Sequence, residues 1–480
     1  MYVPGFGNSV GELSVKCGFG LCVRVRGAEA FVGGTEPVPE LLATAARAAV
    51  NAAQELSRTT TQVNDQRFAL ASVPVAKGEW RAPIAIDPFA LSVDDHAAIM
   101  GGCDGAHDGR LSRWSRRGFQ FGPGDWWRWL AETRVFASSE GSLVTQFLGG
   151  LDARMAVRKW DWRRQRGEDL ELDVASQHSC TGGVELLLRP EFFAELETTM
   201  EELARYAALP CATMDVGRYA AVLDGPTQAR LLGQTVLPAL SLRRVLGHEI
   251  DVAGTSFFAP PDVAIGDRVC SPLLSCAVDG PGQKFGMIPF GARQWDDEGV
   301  ATRPVSLIER GTLVNYLASR ATLPALGTLS KAGTVSATLG GITQATFAAR
   351  PAERPPSVSM APSSSVMSLD GLARQIGVGV LVRGGYVSVD PEGHGGYVMP
   401  GMACEVRGGR VVRRIRGSRL MFSTKRLLQT LSAIGDANTL GTVMNWEVVP
   451  GIPWSFPRQA LTAPAACYRE FDLVPRFLAS

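Results

Sequence analysis

Apolar and polar residues alternate in CGFGLCVRVRGAEAFVGG (17–34), the pattern of two paired strands joined by a tight turn at Arg26-Gly27. In the next stretch, PVPELLATAARAAVNAAQELS, the period lengthens to that of a helix, with Leu41, Leu42, Ala45, Ala48 and Ala49 on the face that should cover this sheet. VFASSEGSLVTQFLGGLDARMAVRKWDW (135–162) returns to strands around a turn at Ser139-Glu140-Gly141. PEFFAELETTMEELARYAAL has proline at its mouth, early acidic residues, and apolar residues at Phe193, Leu196, Met200 and Leu203; it predicts a helix from Pro190. A second helix should begin at Pro226 in DGPTQARLLGQTVLPALSLRRVLG, and Pro238 should kink or end it.

From Gly254 the pattern is mostly β, with strands near Val269 to Val278 and a hairpin turn at Glu309-Arg310-Gly311. GGYVSVDP and GYVMPGMACEVRGGRVVRRIRG read as further strands, and STKRLLQTLSAIG as a short helix. The Pro/Ser-rich run 349–365 has the composition of a linker and equally suits an ordered loop of a β domain. No internal repeat of about 20–50 residues is present. The expectation is an α+β protein: an N-terminal α/β sandwich-like domain over 1–220, then a strand-rich C-terminal domain over 221–480.

Composition narrows the function classes. The 480 residues are 45% apolar, enough for two or three domains with their own cores. With 48 basic and 47 acidic residues the formal charge is +1, so no global field recruits nucleic acid or an anionic membrane. The nine cysteines are odd in number and never form Cys-x-x-Cys, which suits reduced thiols in the cytoplasm. No signal peptide opens the sequence, and no run of about 18 uncharged apolar residues occurs. Residues 105–134 gather Arg110, Arg113, Trp114, Arg116, Arg117, Trp126, Trp127, Arg128 and Trp129. Such a cluster can stack on bases or rings; with no supporting net charge, packing on the domain or a partner subunit is the expected role.

His248-Glu249 is the first candidate for chemistry. A zinc helix of the His-Glu-x-x-His kind needs a second ligand about four or five residues on. Those positions hold Val252 and Ala253, so the local motif is incomplete. His96, His107, His178 and His394 are isolated, and only His178-Ser-Cys180 approaches a mixed ligand pair. Nucleophile elbows and phosphate loops are absent. Asp296, Asp297 and Glu298 are adjacent, but neighbouring side chains on a strand or turn diverge, which disfavours a metal.

The order of three segments carries a resemblance. RLLGQTVLPALSLRRVLGHEIDVAGTSFFAPP, WDDEGVATRPVSLIERGTLVNYL and FSTKRLLQTLSAIGDANTLGTVMN together resemble the TldD/PmbA family of metallopeptidases and their subunits, and the early GFGLCVRVRGAEAFVGG is similar to that family's first hairpin. The resemblance implies a large mixed, barrel-like sheet in the C-terminal domain. Peptidase members carry His-Glu-x-x-x-His on a helix upstream of Ala-Gly-Thr-Ser-Phe, and a late cysteine after a Gly-Thr-Val-x-Asn segment. Counting back from Ala253-Gly254-Thr255-Ser256-Phe257, those positions fall on Gly233, Gln234 and Pro238, and the cysteine position on Trp446. Glycine has no side chain, glutamine takes no proton from water, proline has no donor atom, and the indole N–H does not coordinate metal.

What the resemblance implies is a chain without its own cofactor, the metal-free subunit beside a zinc-bearing TldD-like partner, or a homodimer if no such partner exists. Peptides would be the substrate, with natural-product maturation one setting. Two alternatives stand: a rebuilt site doing non-proteolytic chemistry on a small molecule, with Gln234, His248, Glu249, His394 and Cys467 as polar candidates, and a non-catalytic homodimeric binding protein.

Overall fold

In the computed structural model, residues 2–3, 8–9, 15–59, 70–92, 94–95, 119–121, 126–161, 166–174, 180–260, 262–326, 350–445 and 459–475 are described. The chain divides into two compact units, residues 1–69 with 344–351, and the remainder.

The small unit is built on the expected hairpin. Strands β1 (Phe19–Val25) and β2 (Ala28–Gly34) pair antiparallel. Arg26 and Gly27 both have positive φ, 48° and 85°, as a two-residue turn matched to strand twist requires. Helix α1 (Pro39–Thr59) packs on both strands. Its buried stripe is Ala45, Ala49 and Ala53, one turn apart, and small enough for close approach. Leu41 and Ala48, expected on that face, are exposed instead.

In the large unit β3 (Lys77–Arg81) and β4 (Trp126–Ala137) flank the 19-residue β5 (Leu143–Asp161), which also pairs with β6 (Arg166–Val174). The turn at 138–142 is the expected one, with Gly141 at φ 99°. Trp129 packs against a buried core cluster that includes Leu151 and Leu187, so this member of the Trp/Arg cluster is structural; residues 96–118 lie outside the described residues. Helix α2 (Pro190–Ala207) starts at its proline as predicted.

Two further sheets follow, threaded by one interior helix. β7 (Gly217–Leu223) runs through Asp224 into α3 (Gly225–Gln234) and the short α4 (Val236–Ala239). β8 (Cys276–Val278), β9 (Val305–Glu309) and β10 (Ser357–Met360) come next, then β11 (Val378–Val389), β12 (Gly395–Arg407) and β13 (Ser418–Ser423). β14 (Gly441–Asn445), β15 (Gln459–Ala463) and β16 (Ala466–Pro475) complete the set.

β7, β11, β12, β13 and β16 close on themselves: β12 pairs with both β11 and β13, β13 with β16, β16 with β7, and β7 with β11. Only the β7–β11 pairing is parallel, so this is a closed, mixed five-stranded barrel, and the fold is α+β and strand-rich as expected. The second sheet has the order Thr312–Leu313, β9, β8, β10, β15, β14. Arg310 and Gly311, both at positive φ, make the expected β9 hairpin turn.

The linker reading of 349–365 fails. Ser357–Met360 is a fully buried strand inside the six-stranded sheet, paired with β8 on one side and β15 on the other. STKRLLQTLSAIG splits into a helix, Thr424–Thr430, and a strand, Leu431–Ile434, on the barrel sheet. The division expected at residue 220 falls inside β7, in the middle of that sheet.

Helix α3 lies between the barrel and the second sheet. It packs on β11 from one side and on β14 and β15 from the other. Gln228 joins both: its Oε1 accepts from the Tyr468 hydroxyl of β16 at 3.0 Å, and its Nε2 lies 3.7 Å from Met360 Sδ of β10.

Candidate functional site

Asp224 sets the start of α3. It caps the helix by accepting from Thr227 N, and Pro226 follows in the first turn, where its missing N–H is no loss. The helix ends at Gln234, capped by Thr235 at φ −108°, and the short α4 that follows holds Pro238. Proline cannot donate to the carbonyl four residues back, so the helix breaks where the sequence predicted. Gly233, Gln234 and Pro238 are all buried. Ser256 Oγ donates to Ala239 O at 2.5 Å, which fastens the Ala253–Phe257 segment to the end of α4. These three positions offer one neutral amide as their donor set, which does not fit a zinc ion. Trp446 lies outside the described residues, but β14, which ends at Asn445, packs on α3.

The His-Glu pair has a different job. Glu249 is buried, with Oε1 3.8 Å from Arg243 Nε. Its charge also opposes the desolvation of two buried guanidiniums: burial lowers the pKa of Arg244, and brings Arg354 down to about 10. Arg244 Nη2 donates to the carbonyls of Ala253 and Pro391, tying the β11–β12 hairpin tip to the Ala253–Phe257 segment. At that tip the half-exposed His394 places Nδ1 3.1 Å from Glu392 Oε2, with its ring 6.3 Å from that of Phe257. His248 precedes this clamp, its N–H donating to Arg243 O at 2.9 Å. The structure thus brings Glu249 and the hairpin tip that carries His394 to Arg244, next to the end of α4.

The three adjacent carboxylates do diverge. Asp297 has both oxygens 2.8 Å from Arg134 Nη1 on β4, and Glu298 Oε2 accepts from Arg320 N at 2.8 Å. Asp296 is buried; Oδ1 accepts from the N–H groups of Glu298 and Val300, and Oδ2 has no hydrogen-bond partner among the described residues. Burial first, then the Glu298 carboxylate, raises its pKa well above the ordinary value. A carboxyl raised on folding contributes stability fully below its unfolded pKa of about 4, and loses it as pH climbs through the folded value. Asp296→Asn, which stays neutral, should therefore gain on the wild type in thermal midpoint as pH rises from about 4 toward neutrality. A midpoint difference that is constant over that range would refute the assignment.

A cavity of about 330 Å³ opens on the other face of the second sheet. Side chains alternate along strands, so Val443 and Leu461 join the core around α3, whereas Thr442 and Thr462 line the cavity. These two hydroxyls are 2.9 Å apart across the β14–β15 pairing, and Ser359 pairs with Thr462 on the next strand. Ser357 and Ser359 each donate to Asp279 at 2.6 Å, and Lys284 Nζ stands 3.8 Å from its Oδ1. Burial raises the Asp279 pKa against the lowering effect of the two serines. Lys284, Phe285, Met287 and Leu440 complete the working wall. Gln234, His248, Glu249, His394 and Cys467 are not among its lining residues.

A sequence profile of the PmbA/TldA metallopeptidase C-terminal domain matches residues 216–471, more than half of the chain. The chain belongs to this family. The profile spans α3, the barrel and the second sheet, so the TldD/PmbA resemblance of the three segments and the closed barrel have one source. Comparison with solved structures gives the same fold. A putative modulator of a DNA gyrase from Thermotoga maritima MSB8 aligns over 95% of this chain and 88% of its own, at 14% identity and TM-score 0.63. A putative modulator of DNA gyrase from Bacteroides thetaiotaomicron VPI-5482 covers 95% and 88% at 15% identity and TM-score 0.62. TldE from Thermococcus kodakarensis covers 95% and 94% at 15% and 0.58. A search of the curated proteins found no match.

Within this PmbA/TldD fold, sequence reasoning missed the cavity wall. The available signal was the small polar residue at every second position of SVSM, with Thr462 of QALTA and Thr442 of GTVMN, in strands otherwise apolar enough for a core.

Proposed function

We propose that this chain is the metal-free, TldE/PmbA-like subunit of a two-subunit metallopeptidase, acting with a zinc-bearing TldD-like partner on short or unfolded peptides in the cytoplasm. The reading is carried by a count along the sequence: reckoned back from Ala253–Phe257, the family's two histidines and glutamate fall on Gly233, Pro238 and Gln234, which are buried and offer no zinc ligand. The fold likeness to a TldE agrees with it. β14 is an edge of the second sheet, and an extended peptide can pair with such an edge through its backbone. No helix among the described residues is long and apolar enough to cross a membrane, and none of the eight described cysteines is in a disulfide, which agrees with a reducing compartment.

Co-expression with a homologue that keeps His-Glu-x-x-x-His and the late cysteine tests this. The two chains should co-elute as one complex that holds zinc and cleaves peptides, while this chain alone binds no stoichiometric zinc and cleaves none. One tightly bound zinc per isolated chain, or failure of the pair to associate, defeats the proposal. A homodimer that binds small molecules without cleaving peptides would favour the second reading, a rebuilt non-proteolytic site, for which the Thr442/Thr462 cavity is the supporting observation.

A further inference from the structure

We infer that the cavity on the outer face of the second sheet is a recognition site for the C-terminal residue of a peptide, a carboxylate beside an apolar side chain. The choice of a peptide rests on the reading above; the choice of an anion does not. Lys284 is the charged side chain among the described lining residues, and it is cationic. Its natural counter-ion, Asp279, stands behind the wall with a side chain only 1% exposed, both oxygens already accepting serine hydroxyls. At 3.8 Å that pair is too long for a good hydrogen bond, and the Lys284 side chain keeps 41% of its surface in solvent. The ammonium therefore has donors to offer a ligand.

The remaining wall supplies what a terminal carboxylate and its side chain need. Thr442 and Thr462, both buried, form a hydroxyl pair in which one donates to the other and the acceptor keeps its own O–H. Phe285, Met287 and Leu440 are apolar. Burial pushes the Cys180 thiol up to about 11, so it lines the cavity as a small neutral group rather than a nucleophile. The volume lies at the lower end of the range for small-ligand pockets, about 300–1,000 Å³, fitting a chain end and not a folded partner.

Phe285 supplies an independent sign of purpose. Among the described residues three non-glycines have positive φ: Arg26, Phe285 and Arg310, each followed by a glycine in the same kind of two-residue turn. The arginines suit exposed hairpin tips. A bulky aromatic at φ 49° is a strained choice, and this one is 39% exposed at the cavity wall, its ring 5.3 Å from the Lys284 ammonium. Strain held at an exposed residue, with little burial to offset it, marks a site kept for a ligand.

The test titrates the full-length chain with N-acetyl-Ala-Phe bearing a free carboxylate and with its C-terminal amide, by calorimetry. The acid should bind saturably and the amide about tenfold more weakly. Lys284→Met should weaken the acid by about tenfold and abolish the discrimination, with an unchanged thermal midpoint reporting an intact fold. Phe285→Gly should raise the thermal midpoint while weakening both ligands, a combination that a purely structural role does not produce. Equal binding of acid and amide, no binding at millimolar peptide, or tighter competition by inorganic phosphate than by acetate would overturn the inference. These measurements need no partner subunit. A chain that assembles with its partner but ignores the acid defeats this site alone, and a chain that binds the acid but finds no partner defeats only the subunit reading.

Discussion

Asp224→Ala is expected to destabilise the protein by about 3–5 kcal/mol, because one buried carboxylate serves four donors. Its Oδ1 accepts from Thr227 N at 3.0 Å and Thr227 Oγ1 at 2.5 Å, and its Oδ2 from Gly384 N at 2.8 Å and Arg383 Nε at 3.2 Å. The first pair caps α3 and the second pins that cap to β11 of the barrel. Helix caps alone are worth about 1 kcal/mol. The larger part comes from the Gly384 N–H and the Arg383 guanidinium, which alanine leaves in the interior without this acceptor. Arg383 also pairs with Glu202 of α2, so the loss reaches that helix. Asp224→Asn, which retains one acceptor oxygen, should lose less than half as much. Denaturant unfolding followed by tryptophan fluorescence reads both variants. A midpoint for Asp224→Ala within error of the wild type would show that the cap does not hold the helix to the barrel.

That node also shows what was legible in the sequence. Asp224-Gly-Pro marks a helix start by local chemistry, as Arg26-Gly27 and Arg310-Gly311 mark turns and Pro238 marks a break; each is decided by its own backbone, and each is where it was expected. The second function of Asp224, reaching a residue 160 positions away, leaves no local trace. Ser357–Met360 was hidden for a related reason. Prolines and serines around it imitate a linker, but Ser357 and Ser359 are buried polar residues satisfied by Asp279, a partner about eighty residues earlier. The candidate site divides the same way. Counting from Ala253–Phe257 assigned the ligand positions to Gly233, Gln234 and Pro238 on the strength of the resemblance; the structure adds that the Ser256–Ala239 hydrogen bond joins that segment to the end of α4. Glu249 and His394 were singled out by residue type alone, and only the fold shows that Glu249 and the hairpin tip carrying His394 meet at Arg244 rather than line the cavity.

Gly225→Ala and Gly441→Ala should each lower stability by about 3 kcal/mol or more, the upper end for overpacking, since the atoms in the way cannot move singly. A Cβ on Gly225, the first residue of α3, would sit 2.4 Å from Gly441 N, 2.4 Å from Thr439 O and 2.7 Å from Ala463 O, all backbone of β14, β15 and their approach. A Cβ on Gly441 would sit 2.2 Å from Pro226 Cδ and 2.4 Å from Pro226 N. The contact is reciprocal: the mouth of α3 and the start of β14 each require the other to lack a side chain. A flexible side chain could swing aside, whereas here the helix must lift from the sheet. The joint also fixes how the last turn of α3, with Gly233 and Gln234, lies against the strand that ends at Asn445. For a unit of this size the expected fall in thermal midpoint is on the order of 3–5 °C. Gly377→Ala is the control, with open space at its Cβ, and should change the midpoint little. A Gly225→Ala chain as stable as Gly377→Ala would mean that α3 has room to shift, and that the helix and β14 are not held at a single spacing.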